Sequence, residues 1–260
     1  MTTETIEATA PVRGMGRWKA AGWHLLVSAL VVGTVAALLI GVWYGWDLFR
    51  ILGGDRLLLI LASIDIVAGP LLTLIVYGHA KPSLRFDLTV IALLQAGFLA
   101  YGIHIMAQSR PVFIVGVLDR FEVVFANETD PFRLAQAPME AVRELSWTGP
   151  MWVGGQMAQN NRETLQLALD GAAGEDIHEK PERYIEVDRV TLGIAQNGKP
   201  VDLLAEDAQP KIDRLLRRAD VPAEQARFVP LVSRRGEGAV IMDRRDGRLL
   251  GLVHTDPWRG

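Results

Sequence analysis

The residue in this sequence best placed to do chemistry is a carboxylate in the middle of an apolar run. Asp65 lies within Ser63-Ile64-Asp65-Ile66-Val67-Ala68-Gly69-Pro70-Leu71-Leu72-Thr73-Leu74-Ile75-Val76-Tyr77. The run is apolar enough to cross a bilayer, where an ionised Asp costs about 2.5–3.5 kcal/mol on insertion scales, so it is seldom there without a partner or a task. Pro70 lacks an N–H and its ring clashes with the preceding turn, so the helix should bend over Ala68–Pro70. A bilayer tolerates that bend only where neighbouring helices re-satisfy the freed carbonyl. Two readings of Asp65 stay open. It is a buried group, hydrogen-bonded inside a bundle or held neutral, or it meets a group on a partner helix. An intramembrane aspartyl protease would need a second carboxylate at the midplane; Asp87 sits at the membrane edge, which excludes that class.

The other reactive residue types form no constellation. The five histidines are His24, His79, His104, His178 and His254. No pair has metal-ligand spacing on a helix, and HExxH, a P-loop, GxGxxG and GxSxG are absent. His254 and Asp256 alternate on one strand face and read as a surface pair. Gly154-Gly155 reads as a bulge or turn, and Arg214–Arg218 and Arg234-Arg235 as solvated faces. With no cysteine there are no disulfides, thiolate metal sites or Cys nucleophiles. The expectation is a protein that is not an enzyme and uses no cofactor or metal. A net charge of −3 over 260 residues argues against a nucleic-acid partner, which would call for a basic patch.

The elements that must position Asp65 follow from the charge distribution. Between Ala20 and Ser109 the charged residues are Asp47, Arg50, Asp55, Arg56, Asp65, Lys81, Arg85 and Asp87; from Arg110 onward charge is ordinary. The chain therefore divides near residue 108 into a three-helix transmembrane bundle and a mixed α+β soluble domain with antiparallel hairpins. Residues 1–16 read as a disordered cytoplasmic tail. Membrane helices are expected over about 24–42, 57–77 and 84–107, with domain boundaries of 17–108 and 109–260. The first apolar run outlasts a signal peptide's core of roughly 7–15 residues, and no cleavage site precedes the aromatic belt Trp43-Tyr44-Gly45-Trp46. Residues 43–56 read as a short loop. Along the first helix Ala29, Gly33, Ala37 and Gly41 recur every four residues, a small-residue stripe on which a second helix, from this chain or another, packs closely.

Lys and Arg in the short flanks favour an N-terminus inside and the soluble domain outside, in a Gram-negative periplasm. Asp65 then stands roughly 18 Å above the cytoplasmic helix end. Depth matching makes Tyr101, His104 and Thr34 its candidate partners, and Gln95 is a further polar interruption of the third helix.

In the soluble part, Pro111–Leu118 and Phe121–Ala126 read as a hairpin around Asp119-Arg120. A short helix is expected near Leu134–Leu145, a strand over Pro150–Met157 and a helix over Asn160–Asp170. Gly171–Arg183 reads as a polar surface loop and Lys211–Ala219 as an amphipathic helix. The chain ends in a β-meander with its turn at Asp246-Gly247.

These residues also carry a resemblance. Ser63-Ile-Asp-Ile-Val-Ala-Gly-Pro-Leu-Leu-Thr-Leu-Ile-Val76, Ser83-Leu-Arg-Phe-Asp-Leu88, Ile91-Ala-Leu-Leu-Gln95 and Leu99-Ala-Tyr-Gly102 look like the TfpX/TfpZ type IV pilin accessory proteins. Arg17-Trp-Lys-Ala, Arg110-Pro-Val-Phe, Asp119-Arg-Phe-Glu-Val-Val124 and Asp256-Pro-Trp258 fit as well. The resemblance implies a multi-pass inner-membrane factor that affects assembly or retraction of type IV pili, and twitching motility with them, without being a pilus subunit. Its implied partners are the major pilin, membrane lipid and other pilus assembly proteins. It brings no catalytic residues. The expected contact set is Ala29, Gly33, Ala37, Gly41, Asp65, Gly69, Pro70, Gln95 and Tyr101. The rival readings are a membrane-anchored periplasmic sensor or ligand-binding protein, which would need a signalling partner, and an integral-membrane enzyme or transporter centred on Asp65.

Overall fold

The computed structural model describes residues 16–77 and 82–258. The tail expected over 1–16, apart from Gly16, and the loop residues His79 and Lys81 lie outside them. α1 (Arg17–Leu38) runs on as a π-helical turn, Leu39–Tyr44, and ends at Gly45, whose φ of +68° only glycine adopts without strain. α2 (Trp46–Ile51) occupies the segment expected to be a loop. The second apolar helix consists of α3 (Gly54–Ser63), a π-helical turn (Ile64–Ala68) and α4 (Gly69–Val76); the third is α5 (Leu84–Gln108). The three segments Arg17–Tyr44, Gly54–Val76 and Leu84–Gln108 are each long and apolar enough to cross a membrane.

The described residues form two compact units, and the division falls inside the helices. One unit takes the residues up to Thr34 together with Leu59–Gly102; the other takes Val35–Leu58 and Ile103–Gly260. This differs from the boundary expected near 108. The cause is α2 and its flanks: Leu48, Phe49, Ile51 and Leu52 are buried with Leu39, Tyr44 and Met106 in the core of the sheet unit. Gly54 permits this, because a Cβ there would lie 2.4 Å from the Phe49 ring.

The sheet unit starts with β1 (Pro111–Val117) and β2 (Arg120–Phe125), an antiparallel hairpin whose two-residue turn is Leu118-Asp119, one residue earlier than expected. Leu118 takes φ +54° there. The helix expected near 134–145 is α6 (Pro131–Ala135), capped by Asp130 accepting from the Phe132 N–H, followed by a 3₁₀ turn over Glu140–Val142. β3 (Met151–Gly155) pairs parallel to β1. Gly154 and Gly155 lie inside this strand, not in a turn, and a Cβ on Gly154 would come within 2.8 Å of Val190. Next come α7 (Asn161–Ala172), β4 (Tyr184–Glu186) and α8 (Asp188–Asn197). The expected 171–183 surface loop instead folds into short 3₁₀ turns that bury Lys180, paired with Asp170. β5 (Lys199–Pro200), α9 (Gln209–Ala219), β6 (Ala226–Val232), β7 (Gly238–Asp243) and β8 (Leu249–Val253) complete the unit.

The sheet order is β4-β3-β1-β2-β6-β7-β8, with β5 on β6. Side chains alternate across it with period two. Ile114, Phe121, Val123, Val229, Leu231, Val240 and Met242 face α2 and α8. On the reverse, Phe228, Ala239 and Ile241 meet Ile212 and Leu216 of α9, while Phe113, Val115 and Val124 meet Leu134, Val142 and Tyr184. Both faces are covered, which is why β7 is buried along its whole length.

Candidate functional site

Three helices of the first unit bring their polar residues to one place. The site begins with Pro70, which has no N–H to offer Ile66 in α register or Asp65 in π register. The Asp65 carbonyl instead accepts from Gln95 Nε2 at 3.2 Å. A neighbouring helix therefore re-satisfies the bend, as the sequence requires. Because a carbonyl only accepts, Gln95 Nε2 is fixed as donor and its Oε1 as acceptor. Oε1 takes the hydrogen of His24 Nε2 at 2.8 Å. His24 Nδ1 lies 2.5 Å from Thr73 Oγ1, within hydrogen-bond distance. Gly69 makes the approach possible, since a Cβ there would stand 2.1 Å from Gln95 Nε2. His24, Gln95 and Thr73 thus tie α1, α5 and α4 together around one backbone carbonyl.

The Asp65 side chain is outside this network. It is 4 % exposed, and neither carboxylate oxygen has a hydrogen-bond partner among the described residues. It lines a cavity of about 230 Å³ with His24, Ser28, Gln95 and apolar residues of α1 and α5, among them Val31 and Ala96. Among the described residues no group of three or more His, Asp or Glu is placed to hold a metal.

A second acid stands out in the sheet unit. Glu122 of β2 lines a cavity of about 290 Å³ whose walls include Leu118, Met157, Leu167 and Ile177. Burial pushes its carboxyl up to about 7, Arg120 at 4.0 Å offsets part of this, and Asp176 and Asp119 add to it. Near the ends of the apolar helices, Trp43 packs on Trp147 at 6.1 Å, and the Arg110 guanidinium lies 3.9 Å from the Trp147 ring centroid. This is a cation–π contact.

The model of the family described as fimbrial assembly protein FimB matches residues 12–53. The fimbrial assembly protein of serogroup I of Dichelobacter nodosus is 29 % identical, over 87 % of this chain and 90 % of that protein. Its counterpart from serogroups C1 and C2 is 32 % identical, over 46 % of this chain and 92 % of that protein. The chain belongs to the fimbrial assembly protein family. No solved structure matches it. The segment that matches the fimbrial assembly model spans α1 and α2, and so holds His24, Ser28 and the buried Leu48, Phe49, Ile51 and Leu52.

In this chain the residues singled out from sequence fall into two groups. Asp65, Gly69, Pro70 and Gln95 come together. Ala29, Gly33, Ala37 and Gly41 are exposed, and a Cβ on Gly33 or Gly41 would meet nothing within 4 Å. Tyr101 is 66 % exposed, and Thr34 and His104 are exposed too, with the Thr34 hydroxyl donating to the Leu30 carbonyl. None of these three is the partner of Asp65 that depth matching expects. Sequence reasoning missed His24 and Thr73. The available signal was a histidine inside an apolar run, a polar side chain that calls for partners on neighbouring helices.

Proposed function

We propose that the chain is a non-enzymatic inner-membrane accessory factor for type IV pilus biogenesis, of the TfpX/TfpZ kind, which modulates pilin handling, pilus assembly or retraction through contacts with the major pilin. The observation that carries this reading is similarity to fimbrial assembly proteins along most of the chain. In this reading the three apolar helices cross the inner membrane with the N-terminus in the cytoplasm and the sheet unit in the periplasm. The exposed small-residue positions Ala29, Gly33, Ala37 and Gly41 suit close approach by the apolar helix of a pilin. Lipid covers the remaining exposed apolar side chains of the spans. The test is co-purification of tagged full-length protein with its cognate pilin from solubilised membranes; recovery of pilin supports the contact, and its absence after in-membrane crosslinking contradicts it.

A second reading, a periplasmic ligand-binding protein that signals through a partner, has one observation in its favour. This is the Glu122 cavity, where an acid with a pKa near 7 meets an apolar wall.

A further inference from the structure

We infer that the Asp65 cavity is a docking site for an apolar membrane helix of a partner that carries one primary amine at mid-bilayer depth. Asp65 is central in the 23-residue segment Gly54–Val76, about 17 Å from either end at ~1.5 Å per residue. Its two oxygens are buried and unpartnered among the described residues. Most of the polar groups beside it are engaged elsewhere. Both nitrogens of His24 are engaged, to Thr73 and to Gln95, and the Gln95 amide spends its oxygen on His24 and an N–H on the Asp65 carbonyl. The carboxylate therefore has no hydrogen-bond donor among the described residues.

The cavity wall says what kind of donor fits. Val27 and Val31 of α1 and Ala92 and Ala96 of α5 line it at four-residue spacing and are exposed, so the cavity is open between these two helices. At this depth an occupant's backbone must satisfy its own hydrogen bonds, which requires a helix. Charge complementarity requires a cation or a strong donor opposite the carboxylate. An ammonium has three donors, which the two Asp65 oxygens and the Ser28 hydroxyl on the same wall can take. The five donors of a guanidinium would be left mostly against valine and alanine. A lysine-like amine is the matching chemistry. The inference does not depend on the pilus reading, since the partner is defined by its amine alone.

The test uses the full-length protein in nanodiscs of zwitterionic lipid and labelled Leu/Ala model helices with a central Lys, Leu or Asp. The Lys helix should bind wild type about tenfold more tightly than the Leu helix, and the Asp helix no better than the Leu helix. Asp65→Asn should abolish the preference. Ala96→Leu, which fills the opening and keeps the carboxylate, should weaken the Lys helix while thermal unfolding stays near wild type. Equal binding of Lys and Leu helices to wild type would overturn the inference, as would a preference retained by Asp65→Asn.

Discussion

Asp65 and Asp243 are both removed from solvent, at 4 % and 0 % exposure, yet the chain treats them in opposite ways. Asp243 ends β7 in the sheet unit and is saturated. Arg245 donates to it from its backbone N–H at 2.9 Å, from Nε at 3.1 Å and from Nη2 at 2.7 Å, and Arg248 stands 3.9 Å away. The Arg245 hydrogen bonds hold its carboxyl below the ordinary value. Asp65 has its backbone carbonyl cared for by Gln95 and its side chain left alone. A buried charge that is fully paired belongs to its own fold, whereas the Asp65 carboxylate lines a cavity with no hydrogen-bond partner among the described residues. Among the described residues, the buried side-chain oxygens left without a partner are those of Asp65, in the helical unit.

Removing the satisfied acid should have the largest effect. Asp243→Ala should cost the sheet unit about 3–4 kcal/mol, because three donors and two guanidinium charges lose their acceptor; denaturant unfolding reads this. Since the native pKa is depressed, this stabilisation is present above the unfolded value of 3.8 and is lost as pH falls through the native value. The mutant and wild type should converge in acid.

Glu122 behaves in the opposite sense. Its native pKa of about 7 exceeds the ordinary 4.5, so the ionised form strains the fold. Stability should be highest below 4.5, decline between 4.5 and about 7, and level off above. Glu122→Gln should gain about 2–3 kcal/mol at pH 8 and nothing at pH 4, as thermal melts at the two pH values would register.

Within the helical unit the effects should be smaller. Gln95→Leu frees His24 and the Asp65 carbonyl together and should cost about 1–2 kcal/mol in nanodiscs. Gly69→Ala should reproduce much of that loss by displacing the Gln95 amide. Asp65→Asn should change stability least, by under ~1 kcal/mol, because the side chain has no hydrogen bond to lose among the described residues. A large destabilisation by Asp65→Asn would erase the contrast with Asp243.

What the sequence made legible follows the same division. The three apolar helices, the 111–125 hairpin, the Lys211–Ala219 amphipathic helix and the terminal meander come from periodicity and turn chemistry, which are local. The need for a neighbouring helix to serve the Pro70 bend was legible as well, because proline's missing donor is a property of one residue. The identity of that neighbour was not. Gln95 and His24 meet near Asp65 through helix rotation and tilt, and counting residues from helix ends fixes neither, so depth matching pointed to the exposed Thr34, Tyr101 and His104. α2 was hidden for a related reason. Seven residues between glycines look like a loop until Leu48, Phe49, Ile51 and Leu52 find the sheet core. α8 escaped notice because its helical face is defined by Val190 and Ile194, which pack on Gly154 and Gly116 of distant strands.

The central claim, that this chain serves pilus assembly, is tested most directly by surface pilin in a strain lacking it. Pilin sheared from the cell surface and quantified against total cellular pilin should fall in the deletion strain and return when the full-length chain is supplied in trans. Surface pilin and twitching unchanged by the deletion would contradict the account.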